Sequence, residues 1–422
     1  MTASANAALR SARQALGLRS QVALAEALNK AANEIGLRIS VNTRTVRRWE
    51  SADPPLPQRE HVAALETLFG RPISELGFTV PWSEGVQEPT QAPGNGFKET
   101  WAARYSGASA PALPASIATD FMNGTVSHRR MYWSVPASRL RRLVAEHAAL
   151  GWDLLTKVPA TAKPVMARAI SESSLLAGRL EFFDLQLPEQ AKPSFVLALQ
   201  AAREADDSLL GAAALAHMAF APAFSGDPDQ AEDARDKIRA ARTFARRGQA
   251  NAEMMAWLGA VEAEVETRFG DTRRALTLIR QAEEDYSDFD AEAHPSPPWL
   301  DWFSPIRLVG FKGNTLAAAG RPREARETLQ QALADLPDSA IKQRSVYCAD
   351  LAAVSVLERD PDRACDYLSE ALLLIGEHWY ATAMDRVKDV RESLREWDSL
   401  PKVRTLDDEL YSWHATVRSM IG

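Results

Sequence analysis

Apolar and small residues recur every three or four positions along most of this chain of 422 residues, and no stretch keeps the two-residue alternation of a half-buried strand. Near the N-terminus, "LRSARQALGL" from Leu9 brings Leu9, Ala12, Arg13 and Leu16 onto related faces of one helix. "SQVALAEALNKAANEIGL" opens on Ser20, a good N-cap, and continues with Val22, Ala25, Leu28 and Ala32 at helical spacing. "VNTRTVRRWES" opens on Asn42, a second capping type, and sets Val46 and Trp49 three apart on one face. After the Pro-rich turn "DPPLP", "REHVAALETLF" supplies a further apolar helix. Residues 1–78 therefore read as a module of four to five short helices around one small core.

The pattern breaks at residue 79. Residues 79–135 are rich in Pro, Gly, Ser and Ala ("VPWSEGVQEPTQAPGNG", "SGASAPALPAS") and carry too little apolar surface to offset the entropy of ordering, so they are expected to form a linker. Within it Trp101, Tyr105, Phe121, Tyr132 and Trp133 are candidates for docking, and "MYWSVP" from Met131 is expected to rest on the following region. From 136 to 422, Ala- and Leu-rich amphipathic segments of helical length succeed one another with short turns. The whole chain is expected to be all-α.

That third region repeats. "GDPDQAEDARDKI" from Gly226, "GDTRRALTLIRQA" from Gly270, "GRPREARETLQQA" from Gly320 and "RDPDRACDYLSEA" from Arg359 align at their turns, at uneven intervals suited to helix pairs with insertions. Each turn is followed five positions on by Ala231, Ala275, Ala325 or Ala364, and a further alanine stands at 282, 332 and 371, with Ile238 in the corresponding place of the first repeat. Small residues so spaced share a helix face and let a neighbouring helix approach closely. Over residues 195–395 the pattern resembles tetratricopeptide repeats. That resemblance implies a C-terminal α-solenoid of helix pairs with a concave groove, a shape used to hold peptides, small ligands or partner proteins.

Charge changes the picture of the N-terminal module. Residues 1–50 hold eight basic and three acidic residues, a net of +5, within a chain whose formal net charge is −7. A basic head on an acidic body points to a polyanionic partner for the head alone. Trp49 is expected to anchor its helix in the core, leaving Thr43, Arg44, Arg47 and Arg48 on the remaining surface. A helix fits the major groove of B-DNA, where arginine can donate two parallel hydrogen bonds to guanine O6 and N7. Arginines nearer the groove edge meet phosphates instead, and helix N-termini beginning at Ser20 and Asn42 offer backbone donors to them.

The stretch "SQVALAEAL…VNTRTVRRWES" resembles the helix-turn-helix of Xre-family transcriptional regulators at Ser20, Gln21, Leu24, Ala25, Thr45, Val46, Arg48, Trp49 and Glu50. The resemblance implies that Gln21 touches DNA backbone or a base, that Thr43, Arg44 and Arg47 enter the major groove, and that Arg48 lies near phosphate. It also implies that Glu50 pairs with Arg10 or Arg13. The chain departs from the pattern in the 21 residues from Ala25 to Val46, where the family usually has about ten, so "NKAANEIGLRI" either lengthens the second helix or forms a loop. With the longer spacing and the repeat body attached, the chain is similar to actinobacterial regulators carrying a tetratricopeptide-like C-terminal region.

Other chemistry is sparse. "GFKGNT" from Gly310 lacks the Gly-Lys-Ser/Thr ending of a phosphate loop and fits better inside the first helix of a repeat. The seven histidines form no zinc arrangement, and Cys348 and Cys365 lie on successive predicted helices as buried thiols. No nucleophile elbow or kinase-type set is present, so no catalytic residue, metal or cofactor is expected. In "HPSPPWLDWFSP", Trp299, Trp302 and Phe303 either fill the groove between repeats or form a ligand or partner patch on its concave side.

Together these features predict a cytoplasmic, homodimeric transcriptional regulator that binds double-stranded DNA. Its repeat body would sense a peptide, small molecule or protein effector, or mediate association, with no role at a membrane. The competing reading is an interaction scaffold whose N-terminal module is a docking surface.

Overall fold

The computed structural model describes residues 6–34, 37, 39–51, 54–55, 57, 59–71, 73–78 and 113–421, and among them every regular element is helical. The chain divides into two compact units, Met1–Ala110 and Pro111–Gly422.

The smaller unit contains α1 (Ala7–Ala15), α2 (Gln21–Glu34), α3 (Thr43–Trp49) and α4 (Arg59–Phe69), followed by a 3-10 turn at Ile73–Leu76. Its helices start where side chains satisfy their free N–H groups. The Asn6 Oδ1 accepts from Leu9 N at 3.1 Å, the Ser20 Oγ from Ala23 N at 3.0 Å and the Asn42 Oδ1 from Thr45 N at 3.0 Å. Leu9, Leu24, Leu28, Val46, Leu65 and Leu76 form the fully buried centre. Trp49, 4% exposed, closes it with edge-to-face contacts to His61 and Phe78. Two positions in the expected core stripes are exposed instead: Leu16 lies just past the end of α1, and Val22 lies off the buried face of α2, which centres on Leu24 and Leu28, one turn apart. The long spacing between Ala25 and Val46 is taken up in both expected ways. Helix α2 continues to Glu34, and the connection to α3 is pinned where Asn29 donates to Val41 O at 2.9 Å and accepts from Val41 N at 2.7 Å.

The larger unit begins with α5 (Ser116–Met131) and α6 (Ala137–Leu155). Helix α5 corrects the expected linker. Residues 79–112 lie outside the described residues, including Trp101 and Tyr105, but 116–131 are helical because Ala118, Phe121 and Thr125 share one buried face. The "MYWSVP" segment belongs to the same unit, with the Tyr132 hydroxyl donating to Asp184 Oδ2 at 3.0 Å.

Helix pairs follow: α7 (Lys163–Arg179) with α8 (Pro188–Glu204), α9 (Ser208–Met218) with α10 (Ala231–Arg247), α11 (Ala252–Arg268) with α12 (Thr272–Ser287), α13 (Pro305–Ala318) with α14 (Pro322–Asp335), and α15 (Ile341–Leu357) with α16 (Pro361–Glu377). Helix α17 (Ala381–Ser393) packs on α15, and α18 (Pro401–Ile421) on α16. Within a pair the two helices differ in burial. Helix α11 is buried nearly all round from Met254 to Glu266, whereas α12 buries a single stripe of Ala275, Ile279 and Ala282.

The same stripe recurs as Ala234, Ile238, Ala241, then Ala325, Leu329, Ala332, then Ala364, Leu368, Ala371. The first repeat is therefore shifted by three residues from the alignment at its turn, and Ala234, not Ala231, opens its stripe. The cause is the 3-10 turn Pro228–Gln230, inserted between Gly226 and α10. All four turns carry a left-handed residue, glycine at 226, 270 and 320 and Arg359 at φ 60°. The "GFKGNT" stretch lies inside α13, where a side chain at Gly310 would meet Tyr347 and one at Gly313 would meet Leu329. Its glycines serve close packing. Cys348 and Cys365 are buried thiols on α15 and α16, and burial pushes both above the usual thiol range.

Late helices return to early ones. The Lys342 ammonium on α15 donates to Tyr132 O at 2.9 Å and pairs with Asp184, and Thr382 Oγ1 on α17 donates to Phe183 O at 2.8 Å. Asp184 and Phe183 belong to a π-helical turn, Leu180–Asp184, that continues α7. The inner side of the expected concave groove is thus bridged by contacts from α15 and α17. No described helix is long and apolar enough to cross a membrane.

Candidate functional site

In the smaller unit, Arg44, Arg47 and Arg48 are exposed at spacings of three and four residues, which puts them on one face of α3. Val46 and Trp49 occupy the opposite, buried face. No carboxylate lies within ion-pair distance of the three guanidinium groups among the described residues, and Thr43 beside them is half-buried. Helix α3 therefore presents a cationic surface on a fixed base.

The base is fixed by a buried polar network at the end of α3. Glu50 is 1% exposed and accepts from Arg13 Nε at 2.7 Å and from Gln21 Nε2 at 2.8 Å, with Arg10 Nε at 3.6 Å. Both expected partners of Glu50 are present, and Arg13 is the nearer. Gln21 is half-buried and committed to Glu50 by one N–H, leaving its second N–H and its carbonyl oxygen for another contact. Ser20 and Asn42 are exposed, each with its side-chain oxygen engaged as a cap. Asn6 was not singled out in the sequence. It is buried, donates to Trp49 O at 3.1 Å and to Leu76 O at 3.0 Å, and so ties α3 to the last turn of the unit. No local motif marks it.

The larger unit holds a partly open cavity of about 120 Å³ bordered by the first helices of successive pairs. It draws Arg179 from α7, His217 from α9, Trp257 from α11, Arg307 from α13, Lys342 from α15 and Arg386 from α17. Trp302 and Phe303 line it. Trp299 is buried behind them and stacks on Trp302 at 5.6 Å between ring centroids. The aromatic segment thus fills the space between repeats, with two of its three rings also bordering the cavity. The helical contacts of Arg179, His217, Arg307 and Lys342 are far apart in sequence, and only their shared place on the inner helices unites them.

Charges around the cavity are mostly committed. Arg386 pairs with Asp350, and Lys342 pairs with Asp184. Burial pushes the Asp184 carboxyl up and the Lys342 ammonium down, while each charge moderates the other's shift. Burial also raises Glu264, but Arg268, Arg386 and a hydrogen bond from Asn314 outweigh it and hold this carboxyl below its usual value. His217 is pushed down to about 3 by burial, reinforced by Arg179, so its imidazole is neutral. Arg179 and Arg307 differ from the rest, since neither has a carboxylate within 4.0 Å.

No family model matches the chain, and no curated protein matches it either. Among the described residues no group of His, Cys, Asp and Glu is disposed to hold a metal ion.

Proposed function

We propose that the chain is a sequence-specific DNA-binding transcriptional regulator, with the smaller unit reading duplex DNA and the larger one sensing a ligand or mediating dimerisation. The observation that supports this best is the unpaired, exposed Arg44, Arg47 and Arg48 on a short helix whose other face is locked by Trp49 and Val46. Arg44 and Arg47 read base edges in the major groove, while Arg48 and the residual N–H of Gln21 meet phosphate. Thr43 approaches the bases beside Arg44, and the first turns after Ser20 and Asn42 face the sugar-phosphate backbone. The reading contains no catalytic step, no cofactor and no membrane contact.

One small module makes few base contacts, so useful specificity calls for a homodimer on two half-sites about one helical turn, roughly 34 Å, apart. An effector, whether peptide, small molecule or protein, acts only if it binds one dimer geometry better than another.

The test is binding of the full chain to genomic DNA fragments over a range of salt. Affinity should fall steeply with salt, Arg44→Ala with Arg47→Ala should weaken binding at least about 30-fold and relax sequence preference, and Arg48→Ala should lower the salt slope by roughly one. A double variant that binds as tightly as wild type would sink the reading and favour the docking-surface alternative.

A further inference from the structure

Arg179 is a buried cation with no carboxylate in contact. It is 6% exposed, yet no carboxylate lies within 4.0 Å and no acceptor takes a hydrogen bond from its guanidinium. The nearby acids make their contacts elsewhere, Asp184 with Lys342 and Tyr132 and Asp301 with Arg129 at 3.4 Å, and meet Arg179 only through space. Two aromatic rings cover the guanidinium, with its carbon 4.7 Å from the Tyr132 centroid and 4.4 Å from that of Trp302. Stacking occupies the faces of a guanidinium and leaves the N–H donors at its edge unused. A buried charge in this state is expensive unless something completes it.

Three further features sit around the same space. Arg307, half-buried, lines the cavity without an ion-pair partner. Trp302, also 6% exposed, carries a buried Nε1–H with no hydrogen-bond partner. Gln343 contributes a buried Oε1 that accepts from nothing. The wall also carries the aromatic rings of Phe303 and Phe220 and two carboxylates, Glu264 and Asp350, which are paired with Arg268 and Arg386. The orphaned Trp302 donor beside two cations without a carboxylate in contact calls for an anion, the Gln343 oxygen is left for a donor such as water, and the rings call for a flat apolar body.

Size narrows the class. An apolar cavity of about 150 Å³ holds one benzene molecule, so about 120 Å³ is the scale of a single ring inside, with its polar end toward the open side. The planar fork of arginine matches a carboxylate in two parallel hydrogen bonds. We propose that the cavity binds a small aromatic carboxylate, with its charge held by Arg179 and Arg307 and its ring against Trp302, Phe303 and Phe220. This rests on the reading that the larger unit carries the effector site, and it names the chemistry of that effector.

The experiment titrates the full chain, without DNA, with benzoate, benzamide, acetate and inorganic phosphate, read by calorimetry and by tryptophan fluorescence. Benzoate should bind saturably at one site per chain, and each of the other three at least about 10-fold more weakly, a difference of one lost charge or ring contact. Arg179→Gln and Arg307→Gln should each weaken benzoate at least about 10-fold while circular dichroism stays unchanged. Should Arg179→Gln fail to fold, Arg307→Gln, at the more exposed position, carries the same comparison. The proposal is overturned if benzoate shows no saturation by about 10 mM, if benzamide or phosphate binds as well as benzoate, or if a folded arginine variant binds like wild type. Because DNA is absent, failure here leaves the DNA-binding reading standing, and failure of that reading leaves this measurement intact.

Discussion

The arginines of α3 and the arginine buried beside Trp302 are the same side chain in opposite circumstances. Arg44, Arg47 and Arg48 are exposed, so water solvates each, and standing unpaired carries little penalty. Arg179 has lost most of its water and rests between two aromatic faces, which offset only part of that loss. An unpaired charge is informative in proportion to its burial. At the surface it identifies a partner only when several charges share a fixed face, whereas in the interior a single one marks a place that the fold holds open.

The contrast can be tested by removing charges and reading stability in urea. The largest loss is expected from Asp184→Ala, which strands Lys342 in the interior and should cost about 3–5 kcal/mol. Glu50→Ala should cost the smaller unit about 2–4 kcal/mol, because Arg13 loses its buried partner and Gln21 its acceptor.

Next come two opposed pH effects inside the larger unit. An unfolded chain protonates His217 near 6.5 and the folded chain only near about 3, so the stability from its neutral imidazole is complete above 6.5 and lost as pH falls. Glu172 runs the other way. Burial raises its carboxyl to about 7 against the pull of Arg129, so its contribution is complete below 4.5 and lost as pH rises toward 7. Relative to wild type, His217→Phe should therefore gain stability on acidification from 6.5 and Glu172→Gln should lose it between 7 and 4.5, each with a slope of up to about 1.4 kcal/mol per pH unit. Parallel pH profiles for the three proteins would break this account.

Smaller still, Asn42→Ala removes the cap of α3 and should cost about 1 kcal/mol. Smallest of all, Arg44→Ala with Arg47→Ala should shift stability by less than about 0.5 kcal/mol. A loss of several times that would mean that these arginines serve the fold, and the contrast with Arg179 would collapse.

Much of the architecture was legible because periodicity is local. Helix α3, its Asn42 cap, its buried Val46 and Trp49 and its exposed arginines all follow from eight consecutive residues, Asn42 to Trp49. The Glu50 pairing was suggested by resemblance, and both named arginines are there. Errors arose where a composition signal stood in for a packing one. Residues 116–131 look linker-like in their surroundings, yet Phe121 and Thr125 have a buried face to fill. The alanine register of the first repeat was misread because a 3-10 turn, invisible in residue type, displaces it by three.

The sequence by itself determined the helices, the repeating small-residue stripe and the cationic face of α3, since each depends on spacings within a few turns of one helix. Only the tertiary structure decided that the inner helices border a cavity, that Trp302 and Phe303 line it while Trp299 does not, and that Arg179 lies buried without a carboxylate in contact. Those outcomes depend on side chains brought together across as many as 210 residues, as Lys342 is to Tyr132. A charge's partners and its loss of water are properties of that assembled neighbourhood, and no local spacing encodes them.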